Sequence, residues 1–401
     1  ADRELLPEQA AYIGRAAIFN AVWAMKGETS EAGRQEYTTC VTRQLTASHQ
    51  AINALLAENV FDMIYIPGGV YGSTGLWNDC IRSGGGRVAS FDSGGYGTLM
   101  LAADGVAAQL QDIPRAFALL KSTRDYGNEK RMAIEMALAE IGKRRAGTDK
   151  FASQMTAKTQ AGIHFDFANG VLIALNSSWD SAALGLHAIF DNSAQWIVDT
   201  TRWLLDSTDA HVIIRQHPAE RLEIARTSDD YRKLLADNFG SHARVHFIAA
   251  ADPVNSYDLL QAVSTVIVYT STIGVEAAIL GKTVITPSKS YYSSLGFVWK
   301  AGSREEYFSH ISAALSGNRQ VSQDMKEDAL CCYYLAQNCN WVFSPFNPEG
   351  FPDWSSFDLQ KLYELETVQQ VLLSLQENIP FAFLKHQVNV RQQRETAKQS
   401  A

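Results

Sequence analysis

From residue 170 onward the chain alternates between short runs that are apolar at nearly every position and longer stretches in which apolar residues recur every third or fourth place. The short runs are GVLIALNSS (170–178), HVIIRQHP (211–218), RVHFI (244–248), STVIVYTST (264–272) and KTVITPS (282–288). Between them lie NSAQWIVDTTRWLLDST (192–208), SDDYRKLLADNF (228–239), NSYDLLQAV (255–263) and IGVEAAILG (273–281). Unbroken apolarity predicts strands covered on both faces, and the three-to-four spacing predicts helices. Strand and helix in strict alternation predict a parallel, doubly wound α/β domain that takes its ligand outside the carboxyl ends of the strands.

The first half reads differently. TCVTRQLTASHQAINALLAENV (39–60) places Val41, Leu45, Ile52, Leu55 and Leu56 at helical steps, so two or three helices are expected and no clear opening strand. FDMIYIP (61–67) then predicts a strand, GGVYGSTG a glycine-rich turn, GLWNDCIRSGGG (75–86) a helix closed by glycines, and RVASFDSGG (87–95) a second strand. This is a parallel unit of the Rossmann kind, in a sheet expected to be small or irregular. Residues 113–160 are amphipathic and helical, DKFASQMTAKTQAG (149–162) approaches a linker, helical spacing returns over 355–394, and RQQRETAKQSA (391–401) is a polar end or connector. The expected division is 1–168, an N-terminal Rossmann-like domain with a helical start; 169–350, a C-terminal Rossmann-like domain; and 351–401, closing helices with a polar tail.

Composition narrows the function without naming it. A chain of 401 residues with 43 acidic and 35 basic side chains, net charge -8, lacks the clustered cations that neutralise a nucleic-acid backbone. Its one dense basic run, GKRR (142–145), is expected as a solvated helix end. The five cysteines have no paired metal spacing and read as reduced thiols of a cytoplasmic protein. No apolar run reaches the length of a membrane span, which leaves room for peripheral contact with the inner membrane.

Two strand ends carry the candidate chemistry. RQHP (215–218) sets Arg215, Gln216 and His217 at a carboxyl end and halts the strand with Pro218. YTSTIGVE (269–276) ends its strand in Thr270, Ser271 and Thr272 and enters a helix whose first turn holds Gly274 and Glu276. Hydroxyls before a helix N-terminus leave N–H groups that suit a phosphate, and Glu276 is placed to accept from a ribose. Read alone, each has a bland alternative: a hydrogen-bonded histidine, a capped helix. Read as adjacent strand ends, they predict a nucleotide site.

Three carboxylates stand on glycine- or serine-rich turns: Asp92 in SFDSGGYG, Asp180 in NSSWDS beside Ser177 and Ser178, and Asp104, read as a turn residue. Asp92 and Asp180 are candidates for a general base or nucleophile, with a turn-forming Asx as the alternative for Asp92 and an N-cap of the next segment as the alternative for Asp180. His164 and Asp166 read as linker residues, and the first domain shows no D-x-D at a strand end, so neither a metal nor a cofactor is expected.

RQHPAE (215–220), YTSTIGVEAAILGKTVI (269–285) and SYYSSLGFVWKAGSREEY (290–307) together resemble the C-terminal half of bacterial capsule and lipopolysaccharide glycosyltransferases of the GT-B type. The His-Pro with a Ser/Thr strand end is also similar to that of bacterial sialyltransferases and Kdo transferases, which use CMP-activated sugars. IYIPGGVYGSTGLWNDCIRSGGGRVASFDSGGYGTLML (64–101) is similar to the acceptor-side domain of the surface-polysaccharide group. The resemblance, over about residues 60–312, implies two Rossmann-like domains facing a cleft, with C-terminal helices crossing back to the N-terminal domain. It implies His217 on the donor phosphate, Ser271 and Thr272 behind it with the helix N-terminus, Glu276 on the ribose, and Tyr291 and Tyr292 placed to close over base or sugar. The implied activity is transfer of a sugar, foremost Kdo from CMP-Kdo, to a lipid-linked or lipopolysaccharide glycan of O-antigen or capsule synthesis. An acidic donor sugar would call on Arg215 or Arg87 as its cation. The alternatives are a UDP- or GDP-hexose donor, a non-catalytic glycan- or nucleotide-binding module within a larger assembly, and, last, a sugar-nucleotide epimerase.

Overall fold

A computed structural model describes residues 5–28, 33–95, 98–148, 167, 169–343 and 358–399; the stretch 149–162, His164 and Asp166 lie outside the described residues. The chain forms two compact units, one of Ala1–Asn20, Glu36–Leu138 and Cys331–Ala401, the other of Ala21–Gln35 and Ala139–Leu330. Helices α1 (Pro7–Met25) and α2 (Arg34–Glu58) open the chain, followed by β1 (Met63–Pro67), α3 (Gly72–Ser83), β2 (Arg87–Gly95), β3 (Thr98–Ala102), α4 (Ile113–Lys121) and α5 (Tyr126–Arg145). Leu45 and Ile52 of α2 bury against Ile13 and Ala17 of α1 and Leu76 of α3, the helical stripe read from the sequence.

In this first unit only β1 and β2 run parallel, in register from Met63↔Arg87 to Pro67↔Phe91. From Ser90 onward β2 also pairs with β3, which folds back on it as an antiparallel ladder, and β2 continues past the end of the parallel one. Asp92 therefore does not end a strand, as the glycines after it suggested. It lies within β2 opposite Met100, just past the parallel ladder, and its Oδ1 accepts from Ser93 N at 2.8 Å.

The second unit carries the alternation predicted from the sequence. Its elements are β4 (Gly170–Ala174), α6 (Ser193–Ser207), β5 (His211–Arg215), α7 (Tyr231–Phe239), β6 (Val245–Ile248), α8 (Ser256–Ala262), β7 (Thr265–Val268), α9 (Ile273–Ile279), β8 (Thr283–Thr286), β9 (Trp299–Lys300), α10 (Arg304–Leu315) and α11 (Gln323–Tyr333). The strands form a six-stranded sheet in the order β6-β5-β4-β7-β8-β9, with every pairing parallel. That order reverses direction between β4 and β7, so the carboxyl ends of these two strands diverge into the crevice where open α/β sheets bind ligands. It also corrects one expectation: the RQHP strand and the YTST strand are not neighbours, because β4 lies between β5 and β7.

A Tyr334–Cys339 π-helical turn follows α11, and β10 (Trp341–Phe343) pairs antiparallel with β3 to complete the first sheet. Helices α12 (Leu359–Glu364), α13 (Glu366–Glu377) and α14 (Phe381–Gln399) belong to the first unit, with Phe381 buried against Leu101 and Val342. The return of the C-terminal helices to the N-terminal part of the chain is thus seen. Arg87, at the amino end of β2, donates to Ala103 O at 3.0 Å and to Leu375 O at 2.5 Å. It ties α13 to the sheet and stands at the wrong end of the strand for a donor cation.

One face of the second sheet buries Val171, Ile173, Val212, Ile214 and Ile267 under Trp196, Leu204 and Tyr307. Each such side chain contributes about 1.5–3 kcal/mol by leaving water. Polar order is built into this core, since Trp196 Nε1 donates to Tyr307 Oη at 3.0 Å and Thr200 Oγ1 lies 3.0 Å from the same oxygen. Tyr307→Phe would leave both groups unsatisfied and is expected to lower stability by about 1–3 kcal/mol in urea unfolding; an unchanged midpoint would mean that the packing alone carries the joint.

Candidate functional site at the carboxyl edge of the second sheet

Three loops meet at the reversal of strand order: the one after β4 (Leu175–Asn192), the one after β5 (Gln216–Asp230) and the one after β7 (Tyr269–Thr272). Asn176 Oδ1 accepts from Thr270 N at 3.1 Å and joins the first to the third. Ser177 and Ser178 join the first to the second. Ser178 Oγ donates to Asp229 Oδ2 at 2.6 Å, and Ser177 Oγ lies 3.4 Å from Glu220 Oε1. Glu220 also accepts from Gln216 Nε2 at 2.9 Å and from Thr227 N at 3.3 Å. These two buried carboxylates were not singled out from the sequence, although Glu220 stands inside RQHPAE.

His217 occupies the end of this tied loop. Pro218 opens a 3-10 turn (Pro218–Arg221), and His217 caps it, its Nδ1 accepting from Ala219 N at 3.3 Å. The local question posed by a proline after Arg-Gln-His has this answer: φ-locked Pro218 suits the first turn position and frees the histidine's backbone from the ladder. With Nδ1 an acceptor, the neutral ring carries its proton on Nε2. Burial pushes the His217 pKa below the ordinary imidazole range, the Asp180 charge acts against that shift, and Arg215 adds to it. His217 is therefore a neutral donor near pH 7.

Asp180 is exposed, and its Oδ1 accepts from Ala182 N at 3.0 Å in an Asx turn. The cap expected as the alternative for this residue takes the form of an Asx turn, and the charge of the carboxylate acts toward His217, whose pKa it raises against burial. Ser271 and Thr272 are half-exposed, and their hydroxyls make no hydrogen bond with the described residues; Thr272 does not cap α9 with its side chain. The α9 helix has only 7 residues, so any anion there would meet local N–H groups more than a long helix dipole.

Several expected ligand residues prove to be braces. Arg215 is 2% exposed and its guanidinium is filled by Ala249 O, Val254 O at 3.0 Å and Ser256 Oγ at 3.5 Å, all on the loop after β6 or the start of α8. Burial lowers its pKa to about 10. Glu276 is also buried; it accepts from Tyr257 Oη at 3.1 Å and pairs with Arg144 at 3.5 Å. Burial raises its pKa, with Arg144 opposing. The GKRR run is accordingly not a merely solvated end, for Arg144 meets Glu276 and Arg145 lies over the Tyr257 ring, 5.4 Å from its centroid.

Tyr292 is 0% exposed and Tyr291 is buried against it edge-on, so neither closes over a ligand from the surface. Tyr292 Oη donates to Ser271 O at 2.8 Å and supports the loop after β7 from beneath. A Cβ on Gly274 would come within 2.8 Å of both Tyr292 Oη and Val268 Cγ2. Gly274 thus serves close helix–strand packing. Gly274→Ala is expected to destabilise by about 1–3 kcal/mol in thermal or urea unfolding, as overpacking does.

Burial pushes the Glu220 carboxyl from its ordinary 4.5 up to about 7, with the Asp229 charge adding to the rise and the hydrogen bonds opposing it. The folded state then holds a proton that the unfolded chain has released, so this group's contribution falls as pH rises from about 4.5 through about 7. Glu220→Gln should gain on the wild type by about 2–3 kcal/mol between pH 5 and pH 8. Parallel stability curves in urea at the two pH values would show that Glu220 is ionised throughout.

Comparison with known proteins now bears on this site. Residues 125–324 match the family model described as "Capsule polysaccharide biosynthesis protein", a span that contains β4 to β9 and their loops. Protein FixF of Sinorhizobium fredii (strain NBRC 101917 / NGR234) is 25% identical over 197 residues, 49% of this chain; the match spans 41% of FixF. Among solved structures, Thermosulfurimonas dismutans KpsC, a beta Kdo 2,4 transferase, is similar at 14% identity and a TM-score of 0.42, covering 67% of this chain and 78% of that one. A UDP-GlcNAc 2-epimerase from Methanocaldococcus jannaschii, in complex with UDP-GlcNAc and UDP, is similar at 12% identity and a TM-score of 0.28, covering 79% and 94%. No helix among the described residues is long and apolar enough to cross a membrane.

Proposed function

We propose, from a six-stranded sheet that lies within the capsule polysaccharide biosynthesis match, that this chain is a glycosyltransferase of bacterial surface-polysaccharide synthesis, using a nucleotide-activated sugar. The observation that carries the reading is the tying together of three loops at the reversal of strand order, which brings His217 and Asp180 to the same edge as the unengaged hydroxyls of Ser271 and Thr272. In this reading the donor phosphate lies between His217 and Ser271–Thr272. The neutral His217 ring donates from Nε2 to a phosphoryl oxygen. That bond strengthens as the bond to the sugar breaks and charge gathers on the departing phosphate. Asp180 supplies the carboxylate, as base for the acceptor hydroxyl or as nucleophile at the sugar. Asp92 is held as a residue of the first unit with no assigned partner in this step. The acceptor in this reading is a lipid-linked or lipopolysaccharide glycan.

Kdo from CMP-Kdo is the donor we favour, on the resemblance carried by RQHPAE and YTSTIGVEAAILGKTVI. A UDP- or GDP-hexose is the second reading, and one observation favours it: Arg215 and Arg87, the cations expected for an acidic sugar, are both engaged by backbone carbonyls.

Thermal shifts of wild type and His217→Ala with CMP, UDP and GDP test the site. A nucleotide at a hundred times its dissociation constant should stabilise the wild type by about 2.7 kcal/mol and the variant far less. Asp180→Asn should keep the nucleotide shift while nucleotide release from the activated sugar drops about a hundredfold or more. A wild type that no nucleotide stabilises, or an Asp180→Asn variant with full turnover, would sink the respective part.

A further inference from the structure

A second imidazole stands at the same carboxyl edge, outside the motifs read from the sequence. His187, on the loop after β4, forms an isolated antiparallel bridge with Ser288 on the loop after β8, and its ring packs on Tyr269 at the end of β7 with centroids 4.5 Å apart. Its Nε2 lies 3.0 Å from Glu28 Oε1. The other oxygen of Glu28 accepts from Ser193 N, the first residue of α6, at 2.6 Å. Glu28 is itself fixed by its backbone, for Glu28 N donates to Asp229 Oδ2 at 3.0 Å, while Lys26 O accepts from Thr227 Oγ1 at 2.9 Å and Ser228 N at 2.7 Å. The ring's Nδ1 makes no hydrogen bond with the described residues, and the side chain is 18% exposed.

A carboxylate that holds one imidazole nitrogen decides where the proton sits. Glu28 is an acceptor, so the neutral His187 ring carries its proton on Nε2 and presents Nδ1 as a fixed lone pair. Such a nitrogen suits a hydroxyl donor, and in a crevice that takes an activated sugar the hydroxyls come from the ribose and the sugar. Glu276, the expected ribose partner, is already satisfied by Tyr257 and Arg144. We infer that the Glu28–His187 pair is a specificity-determining element that accepts a hydrogen bond from a hydroxyl of the nucleotide-sugar donor at His187 Nδ1. The inference rests on the proposed donor site and adds a residue to it.

The test compares ligands that differ by one hydroxyl. Wild type, His187→Phe and Glu28→Gln are titrated with whichever of CMP, UDP and GDP the wild type binds, with its 2′-deoxy and 3′-deoxy analogues, and with CMP-N-acetylneuraminate, UDP-glucose or GDP-mannose to match. His187→Phe keeps a ring on Tyr269 and removes the nitrogen. Glu28→Gln keeps the shape, and its amide, donating to Nε2, moves the ring proton to Nδ1 and turns the acceptor into a donor. Should His187→Phe fail to fold, His187→Leu, which also removes the nitrogen, takes its place.

For a ribose contact, the wild type should prefer the ribonucleotide over one deoxy analogue by about tenfold or more, His187→Phe should bind the two alike, and Glu28→Gln, whose Nδ1–H can still donate to the hydroxyl oxygen, should change the preference less. For a sugar contact, His187→Phe should bind the bare nucleotide as the wild type does and lose its added affinity for the nucleotide sugar. Discrimination that survives in His187→Phe, or a wild type that discriminates in neither arm, makes the pair a structural tie and overturns the inference. A wild type that binds no nucleotide overturns the donor site beneath it, a result distinct from either.

Discussion

Two carboxylates almost without water, Glu220 and Asp229, hold the working edge of the second sheet in one piece. Strands of four or five residues cannot by themselves fix the loops that leave them. Ser177 and Ser178 on the loop after β4 reach across to these acids on the loop after β5, and the backbone of Glu28 closes on Asp229 from a third direction. A buried polar network of this kind is strong when every member is satisfied and expensive when one is missing. The positions of Asp180 and His217 follow from it, since each sits a few residues from one of the tied groups.

The same edge divides its charged groups into braces and working groups by burial. Arg215, Glu276 and Tyr292 have their polar atoms filled by neighbours, and the loops they support are thereby rigid. Asp180, His217, Ser271, Thr272 and His187 keep an atom or a face turned outward. Imidazole nitrogens beside unengaged hydroxyls favour a ligand rich in hydrogen-bonding oxygens whose charge grows only as a bond breaks. Dense fixed cations, which would hold a product phosphate as tightly as a substrate one, are absent from the described part of this edge.

Much of the second unit was legible because fully covered parallel strands read as unbroken apolar runs, and VLIA, VIIR, VHFI, TVIV and TVIT all do. Strand order was not legible: nothing local in HVIIRQHP or STVIVYTST says that GVLIA lies between them. The sequence also showed which residue types stand at strand ends without showing which are already satisfied. Arg215 and Glu276 look like ligands until the carbonyls of the loop after β6 and the Arg144 side chain are placed around them. Asp92 was misread as a turn residue for a simpler reason, since the glycines beside it belong to β2 itself, which continues irregularly through Ser93–Gly95. Glu28 and His187 left no signal at all, because 159 residues separate the two halves of one hydrogen bond.

The segment Lys26–Glu28 has a consequence for how the chain becomes a protein. It is made early, directly after α1, yet Asp229, which receives Glu28 N, follows 201 residues later. Closing so long a loop adds only slowly growing entropy, but it makes these ties of the second unit highly non-local. On a ribosome the six-stranded sheet must emerge and pair before its own crevice can be finished by a strand of chain that left the tunnel long before. Completion of the crevice thereby waits on Lys26–Glu28 meeting loops that lie 159 to 201 residues further along the chain.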